Sequence, residues 1–527
     1  MSPSHLPKHI QALLSADFYE HTVSKCSLLE THISWVILTG KYAYKIKKPV
    51  NFGFLNFETL DKRKFYCNEE LRLNKRIASE LYIEVLAVKE KKGTFSFSGN
   101  GEVVDYVLKM HQFPQQSRFD KLLDKHQLNE RHLGKTAEML AWFHHQCETA
   151  QKKSPYGTAL QVHQPVLDNF QQIDYSSLDD SIRNRLDVIR TWSETTFRNL
   201  QGEFQERKQK GFVRECHGDL HLSNLAWLDN QPLAFDCLEF NAELRWIDVI
   251  SDIAFLIMDL HRCQQFELAQ FLLHRYLEYS GDYNSLNLLA YYLCYRAVVM
   301  TKVESLRLSQ INQQHSDFKA TKENFSTYLQ LAEKYTQTNK PMLMICHGLS
   351  ASGKSTISEK LLQRLPAIKI SSDIERKRLV GSWPIWSQGS QKPTEVSEQK
   401  LYSSNMNQRV YEHLMHLAKM ITGAGYNVIV DATFLKAENR SYFFNFAQQN
   451  RLKFLILNFK VPFDILRQRI VLRKQEISDA DLVVLEKQIK QYQPLQSDEE
   501  PFCVNVGAQN QIDINQLSHK IKNHQSF

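Results

Sequence analysis

The pattern of apolar and polar positions near the start of the chain predicts a small lobe of strands with one helix. Strand-like runs at Ser34–Leu38 and Tyr42–Lys47 flank a turn that contains Gly40, which predicts a hairpin. A helical pattern follows at 61–78, and further strand-like runs continue to residue 110. Strands with a single helix over residues 1–110 are typical of an α+β lobe.

Helical spacing dominates residues 111–335, apart from a region of short strands at 213–240. The last helical segments of this part are predicted to pack as a bundle, and they lie near 249–278, 286–308 and 321–335. The polar stretch 336–341 ends in Pro341 and is predicted to be a linker. It separates the bundle from a second domain.

Strands and helices alternate along residues 342–527. The apolar runs typical of strands lie at 342–346, 367–371, 427–430 and 453–459. Helical patterns separate them, which favours a parallel sheet with crossover helices. The fold class predicted for the chain is therefore an α+β bilobal domain followed by an α/β domain with a parallel sheet.

Charge and composition narrow the functional classes. The net charge is +7 over 527 residues, which permits a polyanionic partner such as nucleic acid without requiring one. The nine cysteines include no C-x-x-C pair, which argues against a disulfide framework or a thiolate zinc site and favours the cytoplasm. No apolar run approaches the length of a membrane span, so no membrane association is expected.

The first strand of the second domain leads into a motif that fits G-x-x-x-x-G-K-[ST]. Its residues are Gly348, Leu349, Ser350, Ala351, Ser352, Gly353, Lys354, Ser355 and Thr356. Backbone N–H groups of such a loop bind phosphates, its lysine reaches the β- and γ-phosphates, and its serine hydroxyl ligates Mg²⁺. With a strand before it and a helix after it, the motif predicts an ATP site in which Lys354 binds phosphate and Ser355 binds the metal.

Charged residues follow the later strands of this domain. Asp431 ends an apolar run, where it either holds Mg²⁺ or caps the next segment. Asp373 follows the strand at 367–371 and should face the γ-phosphate, because ligands of parallel sheets bind at the carboxyl ends of strands. A carboxylate there can accept a proton from an acceptor hydroxyl. Arg376, three residues later, can anchor an anionic acceptor or can simply be solvated.

A late helical segment at 463–474 carries three arginines, Arg467, Arg469 and Arg473. Arg469 and Arg473 are four residues apart and share a helical face. On a helical lid they would neutralise charge that develops on the transferring phosphate, and the alternative is a solvated basic surface.

These residues, over about 342–500, resemble the P-loop kinases of the gluconate-kinase and polynucleotide-kinase type, which are AAA-family ATPase-like. The Asp373-x-x-Arg376 spacing is similar to the acceptor-binding pair of polynucleotide kinases. The resemblance implies that Asp373 is the base and Arg376 binds the acceptor. It also implies a lid arginine, here Arg469 or Arg473.

A second motif, H-x-D-x-x-x-x-N, lies at 217–224 and has the spacing of a kinase catalytic loop. In such a loop Asp219 is the base and Asn224 binds metal. The strand-like runs 225–228 and 233–235 follow it, and if they pair as a hairpin, Asn224 and Asp236 meet at one end. An amide oxygen beside a carboxylate suits Mg²⁺.

A kinase also needs a strand lysine and a helix carboxylate that pairs with it. The A-x-K alternation in Tyr42–Lys47 favours Lys45, and Lys47 on the same face remains a rival. The helical pattern at 61–78 supplies the carboxylate, with Glu70 favoured over Glu69.

Residues 30–330 resemble the aminoglycoside-phosphotransferase-like kinases, whose fold is protein-kinase-like, on the segments CHGDLHLSN and FDCLEF. The resemblance implies that Asp219 is the base, that Asn224 and Asp236 hold Mg²⁺, and that Lys45 contacts ATP. It also implies that Asp248 and Asp252 support the catalytic loop. The chain departs from protein kinases in lacking a G-x-G-x-x-G loop.

The order of the two parts is similar to bacterial proteins that fuse a phosphotransferase-like domain to a P-loop kinase. The first hypothesis is an enzyme with two ATP–Mg²⁺ centres that phosphorylates hydroxyl groups of small molecules. The second is an active P-loop kinase with a regulatory, inactive N-terminal half. The third is a nucleic-acid end kinase or a nucleotide-dependent binding protein. The sequence does not indicate an oligomeric state.

Overall fold

A computed structural model provides the structure of the chain. It describes residues 6–53, 55–175, 178–312, 314–384, 403–472, 482–507 and 512–524. The chain forms two compact units, one of Met1–Met139, Phe143–Gln172 and Glu194–Asp259, the other of Leu140–Trp142, Ile173–Ser193 and Leu260–Phe527. Within the described ranges, no helix combines the length and the apolar character needed to cross a bilayer.

A six-stranded antiparallel sheet forms the first part of the first unit, with the strand order β1-β2-β3-β6-β4-β5. Its strands are β1 (Ser27–Glu30), β2 (Ser34–Leu38), β3 (Tyr42–Lys47), β4 (Tyr82–Lys91), β5 (Thr94–Ser96) and β6 (Glu102–His111). The predicted β2–β3 hairpin is confirmed, with Val36 opposite Lys45. A short helix, α1 (Lys8–Leu13), precedes the sheet and was not predicted.

The single helix of this lobe, α2 (Leu60–Asn74), packs on β4 and β6. Its N-terminus is capped by the Thr59 hydroxyl, which accepts a hydrogen bond from the Lys62 N–H at 3.3 Å. The buried face of α2 carries Cys67, Glu70 and Leu73. Because these residues are three apart, they share one face of the helix, and Glu70 rather than Glu69 faces the sheet.

Helices and two small sheets follow. The helices are α3 (Phe119–Asp124), α4 (Glu130–Gln146), α5 (Ala159–Gln172) and α6 (Asp180–Gln209). The strands are β7 (Val213–Glu215), β8 (Leu225–Leu228), β9 (Gln231–Ala234) and β10 (Trp246–Asp248), paired antiparallel as β7–β10 and β8–β9. The predicted hairpin after the catalytic-loop motif is therefore present.

The prediction of one helix near 249–278 is wrong, because two helices occupy this range. They are α7 (Val249–Arg262) and α8 (Phe266–Ser280). Between them Gln264 adopts a left-handed conformation with φ +60°, which a continuous helix cannot contain. The later helices, α9 (Leu286–Gln310) and α10 (Phe318–Tyr335), agree with the predicted segments.

The second unit contains a five-stranded parallel sheet with the order β12-β13-β11-β14-β15. Its strands are β11 (Met342–His347), β12 (Ala367–Ser371), β13 (Asn427–Asp431), β14 (Lys453–Phe459) and β15 (Cys503–Val506). Besides α8, α9 and α10, this unit contains the helices α11 (Lys354–Leu362), α12 (Ser372–Leu379), α13 (Ser404–Gly423), α14 (Ala437–Gln449), α15 (Phe463–Leu472), α16 (Leu482–Gln491) and α17 (Ile514–Asn523). The parallel sheet confirms the α/β prediction, and the architecture as a whole agrees with the predicted fold class.

A buried ion pair fixes α6 to the strand that leads into α7. The guanidinium of Arg207 donates to both carboxylate oxygens of Asp248, at 2.6 and 2.8 Å. Arg207 is fully buried and Asp248 is 3% exposed. Removal of one partner would leave a buried charge without compensation.

We expect Arg207→Ala to lower the free energy of unfolding by about 3–5 kcal/mol, because Asp248 then stays buried without its cation. Urea unfolding of the full chain, followed by tryptophan fluorescence, measures this. Arg198→Ala, an exposed position on the same helix, is the control and should change stability by about 0.5 kcal/mol or less. Equal effects of the two variants would contradict the role given to the pair.

Candidate functional site

The catalytic-loop motif of the first unit is held by carboxylates of α7. Asp252, fully buried, accepts hydrogen bonds from the backbone N–H groups of His217 at 3.0 Å and Gly218 at 2.9 Å. Gly218 has φ +85°, and a Cβ there would lie 3.0 Å from the Leu244 carbonyl oxygen. The loop therefore needs glycine at this turn, and Asp219 next to it remains 40% exposed.

The β8–β9 hairpin brings Asn224 and Asp236 to one end, as predicted. Leu225 pairs with Ala234, and the Phe235 N–H donates to the Asn224 carbonyl at 3.0 Å. The Asn224 amide nitrogen donates to Asp219, to its carbonyl at 3.0 Å and its carboxylate at 3.2 Å. The amide oxygen consequently points away from Asp219, where it can serve as a metal ligand beside the Asp236 carboxylate.

Buried charges surround Glu70. One oxygen of its carboxylate accepts from Lys45 Nζ at 2.7 Å, and the other accepts from Lys47 Nζ at 2.6 Å. Lys45 also contacts the Asp236 carboxylate at 2.5 Å, whereas Lys47 contacts Glu239. Both candidate lysines thus bind Glu70, but Lys45 is the one that extends to the predicted metal ligand.

The rival carboxylate, Glu69, lies on a different face of α2. It accepts from Arg72 at 2.9 and 3.0 Å and lies 3.5 Å from Arg245. The choice of Glu70 over Glu69 agrees with this geometry. The contact of Glu239 with Lys47 was not predicted, because it joins positions 192 residues apart.

Lys45, Lys47 and Glu70 form a cluster, the Glu70 cluster, that favours its ionised form. Burial alone would lower the pKa of Lys45, but the attraction of Asp236 and Glu70 outweighs it and holds that pKa well above its usual value. Burial likewise opposes ionisation of Glu70, yet Lys45 and Lys47 lower its pKa to about 2. The two lysines and the carboxylate therefore carry full charges at neutral pH.

The P-loop of the second unit connects β11 to α11. Gly348 is required at its start, because a Cβ there would lie 2.8 Å from the Phe459 carbonyl oxygen. Gly353, with φ +92°, leads into α11. Lys354 Nζ donates to the Leu349 carbonyl at 2.7 Å, so the lysine side chain crosses the loop. Of the arginines predicted on the late helix, Arg469 donates to the Ala351 carbonyl at 3.2 Å.

A cavity of about 1190 Å³ opens beside this loop. Predicted site residues line it from the loop and from α11, α12 and β13. They are Ser350, Ala351, Gly353, Lys354, Ser355, Thr356, Asp373, Arg376 and Asp431. Ser371 pairs with Asp431 across β12 and β13, so both strands end at the same edge of the sheet. The structure therefore brings the phosphate loop, the predicted base and the predicted metal ligand together. Arg473 lies outside the described residues.

The Asp431 carboxylate suits a cation at the cavity. Asp431 is 3% exposed, and its Oδ2 atom has no hydrogen-bond partner among the described residues. A buried carboxylate oxygen without a donor is costly unless a ligand satisfies it. The Ser355 hydroxyl lines the same cavity, and a carboxylate with a hydroxyl is a donor set suited to Mg²⁺.

Helix α12, which carries Asp373 and Arg376, is anchored through its buried Glu375. The Glu375 carboxylate accepts from His413 Nε2 at 3.0 Å, from Arg378 Nε at 3.1 Å and from the Tyr283 hydroxyl at 3.4 Å. Burial raises the pKa of Glu375, but the bonds from His413 and Arg378 outweigh burial and lower it. The Glu375 carboxylate is thus held ionised where α12 packs on its neighbours.

Residues before the predicted linker also form this site. Glu278, on α8, accepts at its carbonyl oxygen from Arg378 at 2.5 Å and from Trp383 Nε1 at 3.0 Å. Arg275 and Glu278 line the cavity, and Arg275 bonds Glu359 of α11 at 2.7 Å. Sequence reasoning missed this contribution, because α8 carries no motif and its role depends on packing between distant segments.

Comparisons with known proteins find similarity in the second unit and along most of the chain. A family model described as an AAA domain matches residues 343–495, inside the region assigned to a P-loop kinase. The chain is 29% identical over 454 residues to the uncharacterized protein Rv2004c of Mycobacterium tuberculosis. The aligned region covers 86% of this chain and 87% of that protein.

Parts of the chain are also similar to solved structures. Amicoumacin kinase hAmiN, in complex with AMP-PNP, Ca²⁺ and Ami, is 12% identical with a TM-score of 0.39, covering 62% of this chain and 92% of that one. A gluconokinase from Sinorhizobium meliloti 1021 is 16% identical with a TM-score of 0.25, and the match covers 34% of this chain and 90% of that one. The chemistry open to this chain follows from its own side chains.

The Glu70 cluster leads to a pH prediction. The folded-state pKa of about 2 lies below the ordinary value of 4.5, so the ionised carboxylate stabilises the fold above pH 4.5, and this stabilisation is lost as the pH falls toward 2. The difference in melting temperature between the wild-type chain and Glu70→Gln should be largest near neutral pH and should narrow through that window. Glu58→Gln, at an exposed position, is the control. A difference that does not change with pH would contradict the prediction.

The anchoring of α12 leads to a second prediction. Arg378→Ala removes the hydrogen bonds to Glu375 and to the Glu278 carbonyl. Hydrogen bonds of charged groups contribute about 1.5–3 kcal/mol, so protection of amides 372–379 from hydrogen exchange should fall about tenfold or more. Mass spectrometry of the full chain measures this, with Lys360→Ala on an exposed face of α11 as the control. Unchanged protection in Arg378→Ala would show that other contacts hold the helix.

Proposed function

We propose that the chain is an ATP-dependent phosphotransferase with two centres, one in each unit, that transfers the γ-phosphate to hydroxyl groups of small molecules. The observation that carries the proposal is the convergence of Lys354, Asp373 and Asp431 on one cavity. A phosphate-binding lysine, a base and a metal carboxylate are the groups that phosphoryl transfer requires. In the first unit, Lys45, Asp219 and Asp236 supply the same three roles.

In the second unit the proposed reaction begins at Asp373. Its carboxylate accepts the proton of the acceptor hydroxyl, and that oxygen bonds to the γ-phosphorus while the bond from phosphorus to the bridging oxygen breaks. ADP leaves with the electron pair of that bond. Lys354 and the N–H groups of the loop stabilise the charge on the phosphoryl oxygens. Ser355 and Asp431 would hold Mg²⁺, which neutralises the phosphates when it is bound.

In the first unit Asp219 takes the part of the base. Its position is fixed by the Asn224 amide at 3.2 Å and by the loop contacts to Asp252. Lys45, oriented by Glu70, would bind ATP phosphates, and Asn224 with Asp236 would hold the metal. The exposure of Asp219 leaves its carboxylate accessible to a substrate hydroxyl.

The lining of the second-unit cavity supports a polyhydroxylated acceptor. Beside the charged groups, its walls from α13 and α14 carry neutral side chains with amide or hydroxyl groups, namely Ser404, Asn407, Gln408, Tyr411, Asn439, Ser441, Tyr442 and Asn445. Such groups recognise hydroxyls by hydrogen bonds. Arg376, held by Asn407 at 2.9 Å, can bind an anionic group of the acceptor.

Radiolabel transfer from [γ-³²P]ATP by the full chain tests the proposal. The acceptors are sugars, sugar acids, amino alcohols and an oligonucleotide with a 5′-hydroxyl. We expect Lys354→Ala and Asp219→Asn each to lower transfer to a different set of acceptors by about 100-fold or more, because each removes a charged group that the transition state needs.

The controls for this experiment are Lys360→Ala and Asp229→Asn, exposed neighbours of the same residue types. Both should retain full transfer. Loss of all transfer in Lys354→Ala alone would contradict a second centre and would make the first unit regulatory. Transfer confined to the oligonucleotide would contradict a small-molecule acceptor.

A further inference from the structure

Helices α15 and α16 pack directly on the phosphate loop. Leu466 of α15 and Leu485 of α16 belong to a buried apolar cluster with Leu349, Ala351 and Leu435. Two members of this cluster are loop residues of the P-loop motif itself. Side chains of both helices are thereby held within reach of the loop backbone.

Each of these helices places one polar side chain on the loop. Arg469 of α15 donates to the Ala351 carbonyl at 3.2 Å, and Gln488 of α16 accepts from the Ser350 N–H at 2.9 Å. A backbone N–H can only donate, so the atom of Gln488 that faces it is the amide oxygen. Gln488 therefore binds one of the N–H groups with which such a loop binds phosphate.

Gln488 and Lys354 bind the same peptide group of the loop from opposite sides. Gln488 accepts from the Ser350 N–H, and Lys354 Nζ lies 2.7 Å from the Leu349 carbonyl of that peptide. The lysine of this motif reaches the β- and γ-phosphates. Gln488 is thus one peptide group away from a side chain that reaches the terminal phosphates. Gln488 also lines the cavity that contains Asp373 and Asp431.

We propose that Gln488 recognises the γ-phosphate and so distinguishes ATP from ADP at the second-unit site. A glutamine amide has one acceptor oxygen and two donor hydrogens, and rotation of the side chain can present either. Without nucleotide the oxygen accepts from Ser350. With ATP, a γ-phosphate oxygen replaces the glutamine oxygen on the Ser350 N–H, and the Gln488 amide moves beside it and donates its NH₂ to another oxygen of the same phosphate. This inference rests on the nucleotide binding proposed above.

Substitutions at position 488 separate the donor role from a packing role. Gln488→Ala loses both hydrogen bonds, and the affinity for an ATP analogue should fall about fivefold, since a bond to a charged phosphate exceeds the neutral bond to Ser350 by about one kcal/mol. Gln488→Glu can only accept and repels phosphate, so affinity should fall about thirtyfold or more. Gln488→Lys can only donate and should bind the analogue at least as tightly as wild type. ADP affinity should change by about twofold or less in Gln488→Ala.

Calorimetric titration with Mg²⁺–AMP-PNP and with Mg²⁺–ADP measures these affinities. The full chain carries Lys45→Met throughout, so that the first-unit site does not contribute, and Lys354→Ala in this background identifies the binding that belongs to the P-loop. Gln448→Glu, an exposed position on α14 with the same change of charge, is the matched control. Thermal unfolding of each variant checks that it is folded.

Opposite effects of Gln488→Lys and Gln488→Glu on AMP-PNP, with little effect of Gln488→Ala on ADP, would support the proposal. Equal changes in the affinities for AMP-PNP and ADP would overturn it, as would the same loss of AMP-PNP affinity in Gln488→Lys and Gln488→Glu. Nucleotide binding itself would still stand in both cases. Absence of any titration that depends on Lys354 would overturn both this inference and the proposed second-unit function.

Discussion

Pairing of buried charges is the constraint on which both units depend. A charge removed from water is strongly unfavourable unless an opposite charge and hydrogen bonds replace the solvent. Glu70 satisfies this requirement between Lys45 and Lys47, and Glu375 satisfies it between His413 and Arg378. In each case the paired carboxylate orients an element that carries site residues, so the same contacts that permit burial also position the chemistry.

The predicted metal ligand Asp431 departs from this rule. It is as buried as the structural carboxylates, but one of its oxygens receives no hydrogen bond among the described residues. Asp252, which is also buried, has both oxygens occupied by loop N–H groups. This contrast distinguishes a carboxylate that supports a loop from one that is available to a cation. Burial alone does not make the distinction.

The sequence predicted those parts of the sites that lie close together in the chain. The P-loop, the Asp373-x-x-Arg376 pair and the Asp219–Asn224 spacing are local patterns, and the structure places them on loops and helix starts as expected. The hairpin that joins Asn224 to Asp236 was also predictable, because strand-like apolar runs flank the polar stretch 229–232. The break between α7 and α8 was not, since it depends on a left-handed Gln264, and glutamine is not a residue type that marks the end of a helix.

Contacts between distant segments could not be predicted in this way. Lys47 with Glu239, Ser350 with Gln488 and Arg378 with Glu278 each join residues about 100 or more positions apart. The residues involved are ordinary polar types, for which solvation is the usual state. A pattern along the chain does not distinguish such a residue from one that packing places against a loop.

The contact between Arg378 and Glu278 makes the P-loop region depend on residues that precede the predicted linker. The family match covers 343–495, whereas Arg275 and Glu278 of α8 line the cavity, and the Glu278 carbonyl also holds α12 through Arg378. A chain that began at the predicted linker 336–341 would lack these partners. Arg378 and Trp383 would then lose the Glu278 carbonyl, and Glu375 would lose the Tyr283 hydroxyl. Because Asp373 and Arg376 lie on the same two turns of α12, the geometry of the proposed acceptor site depends on residues outside the region that the family model matches.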